Sequence, residues 1–106
     1  MDGTNKLYKV IISERATDML IEHVRFMAAV SLQAAEKLRA EIIEASESLQ
    51  SLPERNTWFS DPLLSTNKYR KMIISKRYLL LYQIKEDTVY MDYIINFNKD
   101  IAILMV

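Results

Sequence analysis

The chain contains no cysteine, which excludes disulfides, thiol catalysis and cysteine-held zinc. Glycine occurs once and proline twice in 106 residues. Tight turns are therefore few, and long regular elements are expected. No stretch approaches the roughly 20 apolar residues of a membrane span. No apolar run of signal-peptide type follows Met1-Asp2-Gly3-Thr4-Asn5-Lys6. A cytoplasmic chain without a membrane partner is expected, with no metal and no cofactor. Net charge is also lacking: 14 basic residues balance 14 acidic ones. That neutrality counts against a surface built all round to grip nucleic acid.

What the chain does have is enough apolar material for one core. Half of its residues are hydrophobic and 26% are charged, the balance of a globular domain rather than a disordered one. At this length a single domain, residues 1–106, is expected, burying roughly two-thirds of its unfolded surface. The neutral total hides a gradient. Residues 1–54 carry nine acidic against six basic side chains, and the remainder carries eight basic against five acidic. Acidic helices followed by a basic sheet would give the domain two electrostatically different sides.

Patterning supplies the elements. Leu7-Tyr8-Lys9-Val10-Ile11-Ile12 reads as a strand. Ser13 offers a helix N-cap, and Ala16, Met19, Leu20, Val24 and Met27 follow at helical spacing. Ser31 caps a second helix whose stripe runs through Ala35, Leu38, Ile42, Ala45, Leu49 and Leu52, until Pro53 stops it. Two helices joined so closely form an antiparallel hairpin. Residues 53–67 make a long connection, pinned to the body by Trp58, Phe59, Leu63 and Leu64. A β-hairpin over residues 69–84 turns at Ser75-Lys76. Lys85-Glu86-Asp87 then leads into a strand over Thr88–Phe97. The tail from Asn98 to Val106 fits a short helix or an edge strand. The predicted fold is α+β: an N-terminal strand, a two-helix antiparallel hairpin, then a three-stranded antiparallel sheet. The first strand is expected beside a strand of the C-terminal half. The helices cover one sheet face, and the other is expected to stay open.

The candidate functional residues lie in the hairpin. Lys68, Arg70, Lys71, Lys76 and Arg77 gather there with no acid among them, a plausible phosphate- or carboxylate-facing surface. The plainer reading makes them edge and turn charges that keep a hairpin soluble. Tyr69, Tyr78, Tyr82, Tyr90 and Tyr93 suit base stacking, and suit cross-strand packing better. His23 falls on the apolar face of the first helix and is expected in the core. Asp92, in an apolar strand, is expected to pair with a hairpin cation.

These residues stand in an order that resembles the RelE/ParE toxin superfamily. The resemblance rests on Ile11-Ile12-Ser13-Glu14-Arg15-Ala16, Ala34-Ala35-Glu36-Lys37-Leu38 and Leu52-Pro53. Tyr69-Arg70-Lys71, Lys76-Arg77-Tyr78, Leu81-Tyr82-Gln83-Ile84 and Val89-Tyr90-Met91-Asp92-Tyr93-Ile94-Ile95 continue it. It implies a cytoplasmic, plasmid-stabilising bacterial growth inhibitor, the toxin of a type II toxin–antitoxin module, neutralised by a cognate antitoxin protein. It leaves two targets, ribosome-bound messenger RNA or DNA gyrase, because the superfamily holds both metal-independent RNA-cleaving and gyrase-poisoning members. Target-binding candidates are Lys68, Arg70, Lys71, Lys76, Arg77 and Lys99. For RNA cleavage, Arg70, Lys71, Lys76 and Arg77 are the catalytic candidates. The chain departs from cleaving members at Asn98, where Arg is expected, at Ile101, where Tyr is common, and at Leu79, where a strand cation is common. Those departures weigh against ribonuclease chemistry. They also admit an alternative, a degenerate non-toxic protein that keeps the fold as a binding or regulatory module. Lys85, at the turn after the hairpin, is expected to matter less than Arg77.

Overall fold

A computed structural model describes residues 6–60 and 67–97. Strand β1 (Lys9–Ile12) leads into helix α1 (Glu14–Ala28) and helix α2 (Leu32–Glu47). Strands β2 (Arg70–Ile74), β3 (Tyr78–Lys85) and β4 (Thr88–Asn96) follow. The sheet order is β1-β4-β3-β2, with β1 parallel to β4 and the other pairs antiparallel. The first strand thus lies beside a strand of the C-terminal half, as its sequence implies.

Both helices begin where a serine can satisfy the exposed backbone amides. The Ser13 hydroxyl accepts from the Ala16 amide at 3.0 Å, and that of Ser31 from the Ala34 amide at 3.1 Å. Such caps contribute about 1 kcal/mol each. The end of α2 differs from the sequence expectation. The α-helix stops at Glu47 and tightens into a 3₁₀ turn over Ser48–Gln50. Leu52, expected on the buried stripe, is exposed with φ at 48°. A residue before proline is pushed out of right-handed helix, so Pro53 acts one residue earlier than a simple stop. The freed carbonyls are taken by Arg55, whose Nη1 donates to Ser51 O at 2.7 Å and to Ser48 O at 3.3 Å, while its Nη2 donates to the Ser48 hydroxyl at 2.8 Å. A cation is well placed at a helix C-terminus.

The main core lies between helices and sheet. Ala16, Leu20, Leu38, Ile42 and Leu49 meet Tyr78, Leu80, Tyr82, Val89, Met91 and Ile94. Met91 and Ile94 are three residues apart, so strict alternation would send them to opposite faces. A bulge solves this: Leu81 pairs with Tyr93 but Tyr82 pairs with Met91, leaving Asp92 as the extra residue. His23 is in this core as expected. Its Nε2 donates to the Ile94 carbonyl at 2.8 Å, and its ring sits 5.3 Å from that of Tyr78.

The other sheet face is not open. Leu79, Leu81 and Ile95 are buried there with Tyr69, and Phe59, Tyr93 and Phe97 pack against them. The long connection does the covering. The Phe59 amide donates to Tyr69 O at 2.7 Å and the Lys71 amide to Thr57 O at 3.0 Å, and Trp58 bridges Arg70 along the outer edge of β2. Phe59 pins the connection as its sequence suggests; Leu63, Leu64, Asn98, Lys99, Ile101 and the rest of the tail lie outside the described residues.

Candidate functional site

The hairpin brings its five cations to one element but not to one site. Arg70 and Ile74 are four residues apart on β2, about 13 Å at the usual strand rise. Lys68 and Arg70 therefore stand at the base of the hairpin, and Lys76 and Arg77 at its tip. Adjacent strand residues face opposite ways, so Lys71 is turned from Arg70 toward the second core.

At the tip, Ser75 and Lys76 have φ of 53° and 60°. The Arg77 amide donates to Ile74 O at 3.1 Å, closing a two-residue turn. Two left-handed residues match the twist of a hairpin, yet side-chain-bearing residues occupy this region at a cost of about 1–2 kcal/mol each. The Ser75 hydroxyl donates to Glu41 Oε1 at 3.3 Å, tying the turn to α2. Lys76 and Arg77 project beyond it, exposed. Tyr78, next to Arg77, is buried against His23.

At the base, Arg70 is half-buried and fully engaged in structure. Its guanidinium lies 4.0 Å from the centre of the Trp58 ring. Its Nη1 donates to Asn56 O at 2.7 Å and Glu54 O at 3.1 Å. Beneath it the Tyr82 hydroxyl donates to Pro53 O at 2.7 Å and accepts from Asn56 Nδ2 at 3.0 Å. Burial holds that phenol above its ordinary pKa. Glu54 keeps its carboxylate below the usual range, through its own backbone amide first and the Tyr8 hydroxyl, at 2.8 Å, second. Around this lock opens a cleft of about 380 Å³, lined by Glu54, Trp58, Lys68, Arg70, Gln83 and Lys85 among others. Lys85, expected to matter less than Arg77, shares it with Lys68 and Arg70. Sequence position hides this, because the end of β3 reaches the base of β2 only through antiparallel pairing.

A second cleft, about 720 Å³, lies where α1 begins, between Glu14, Arg15, Asp18, Tyr69 and Asp92. Asp92 does not pair with a hairpin cation. Its Oδ2 accepts from Gln83 Nε2 at 2.9 Å, because the bulge turns it toward the face on which Tyr69 lies. Burial, and then the Asp92 charge, push the Tyr69 phenol up to about 12. It keeps its proton at any physiological pH. Tyr69, just before β2, packs edge-on against Tyr93 of β4 with ring centres 5.7 Å apart, across the intervening β3. Arg15 lies 4.6 Å from the centre of the Tyr93 ring.

Strand order, helical pair and hairpin together meet the expectation drawn from the resemblance, and comparison with known families decides it. The family described as the ParE toxin of type II toxin–antitoxin systems, parDE, matches residues 10–96, from within β1 to the end of β4. The chain belongs to the ParE toxin family. Among solved structures, this ParE-family chain is similar to one from the chromosomal ParDE TA system of P. aeruginosa. The TM-score is 0.69 at 12% identity, over 87% of this chain and 98% of that one. At that identity the likeness is one of fold. No curated protein matches the sequence. Among the described residues no helix of the ParE-family chain is long and apolar enough to cross a membrane.

Proposed function

We propose that this ParE-family chain is the growth-inhibiting toxin of a type II module, neutralised by a cognate antitoxin, and that it acts by binding a protein target rather than by cutting RNA. One observation carries the second half: the division of the hairpin cations. Metal-independent RNA cleavage needs a base, an acid and a phosphate clamp converging on one phosphodiester. Here Arg70 is spent on loop carbonyls and the Trp58 ring. Lys76 and Arg77 lie in the turn beyond Ile74, which is itself about 13 Å from Arg70 along the strand, and Lys71 is turned to the other face. The neutral net charge supports the same reading. DNA gyrase is the target that the likeness to ParE-like members implies. A cytoplasmic location and a role in plasmid stabilisation belong to this reading.

The test is induced expression with and without the product of the neighbouring gene. Growth arrest relieved by that product, with intact translated messages and DNA-damage signalling, is the expected result. New 5′ ends inside translated messages on primer extension would restore ribosome-bound messenger RNA as the target. Unimpeded growth at high expression would make the chain the degenerate binding module instead.

A further inference from the structure

We propose that the cleft at the hairpin base is a docking site for an acidic, extended peptide segment of a partner protein, with Trp58 as its apolar anchor. The proposal rests on the cleft's composition and stands whether or not the chain inhibits growth.

Trp58 is 41% exposed, a large apolar surface to leave in water. Lys68, Arg70 and Lys85 surround it, and among the described residues Glu54 is the single acid of the lining. That acid keeps its charge and offsets one of the three cations. The local field is therefore positive, in a chain whose total charge is zero. Lys68 and Lys85 are exposed; their ammonium groups lie 5.5 and 5.9 Å from the centres of the Tyr69 and Tyr90 rings, contacts that leave them in water and able to meet carboxylates. Tryptophan and arginine, which meet here, are among the side chains that most often carry interface binding energy.

Geometry favours peptide over nucleic acid. Arg70 covers one face of the Trp58 ring at 4.0 Å, so a base has no sandwich to enter. Single-strand binders track a backbone with several aromatic platforms. Among the described residues Trp58 is the one aromatic lining this cleft. The roughly 380 Å³ volume suits a few side chains rather than a run of nucleotides. The occupant that fits has an apolar side chain against the exposed part of Trp58, flanked by carboxylates reaching Lys68 and Lys85.

The chain contains a single tryptophan, so its intrinsic fluorescence reports on this cleft alone. The probe is a short synthetic peptide with glutamates flanking a central leucine, titrated into the full chain at low salt. A saturable blue shift is expected. It should weaken about tenfold when both lysines are reversed (Lys68→Glu with Lys85→Glu), and be absent with the glutamine version of the peptide. Far-UV circular dichroism checks that the double variant stays folded; Lys76→Glu, at the tip, should leave the titration unchanged. Three outcomes overturn the proposal. They are no spectral change with the acidic peptide, a stronger response to single-stranded RNA than to the peptide, and a shift produced by raising the protein concentration alone. The last would identify a second copy, whose α2 carries Glu36, Glu41, Glu44 and Glu47, as the occupant.

Discussion

The base and the tip of the basic hairpin carry the same kind of side chain and do different things with it. At the base, Arg70 is held by two carbonyls and a tryptophan ring and in return fixes the connection that covers the sheet. At the tip, Lys76 and Arg77 are exposed on a turn whose two central residues are left-handed. The base is locked and the tip is strained. A run of like charges in a strand is therefore not one surface: the strand rise separates it along the sheet and the pleat divides it between faces.

The contrast can be broken at either end. Arg70→Ala should have the largest effect, about 2 kcal/mol of stability, because charge-assisted bonds to two loop carbonyls are lost together. For a domain of this size the melting temperature should fall by about 10 °C. Tyr82→Phe should cost about 1.5 kcal/mol in denaturant unfolding, since it leaves the Pro53 carbonyl without its donor. At the tip the sign reverses: Lys76→Gly should stabilise by about 1 kcal/mol, relieving a left-handed residue. A loss of stability there would show that the turn is not strained. Arg77→Ala should fall within about 0.5 kcal/mol of the parent, and any loss of growth inhibition in it would then report on function rather than folding.

Alkali sharpens the same contrast. The Tyr69 phenol is raised from 10.0 to about 12. Its contribution is complete below pH 10 and is lost as pH rises through about 12, because the folded state resists ionisation. Unfolding in that window, followed by phenolate absorbance, should be blunted in Tyr69→Phe.

Much of the fold was legible because it is written in local chemistry. Ser13 and Ser31 announce the helices, the stripe from Ala35 to Leu49 announces the buried face, and Ser75-Lys76 announces the turn. His23 was readable as a core residue from the apolar neighbours at its helical spacing. The misses share a cause, which is that each depends on more than the local period. Leu52 continues the helical spacing, but Pro53 overrides it. The bulge at Asp92 is invisible to alternation, and it sends Asp92 to Gln83 rather than to a hairpin cation. The covering of the second face needed Phe59 and Tyr69 brought together across the connection. At the candidate site the cations were legible as a group, and strand alternation already implied that they cannot all converge; what each one bonds to was not legible. Arg70 is claimed by Trp58, twelve positions earlier in an irregular segment, and Lys85 reaches the base only through the pairing of β3 with β2.

Independence of base and tip is tested most directly by a double-variant cycle on growth inhibition with Lys68→Ala and Arg77→Ala, both exposed residues. If the two ends act separately, the effect of the pair equals the product of the single effects, and that is the expected result. If either single substitution removes as much activity as both together, the cations work as one catalytic unit, and the division of the hairpin into a locked base and a separate tip is contradicted.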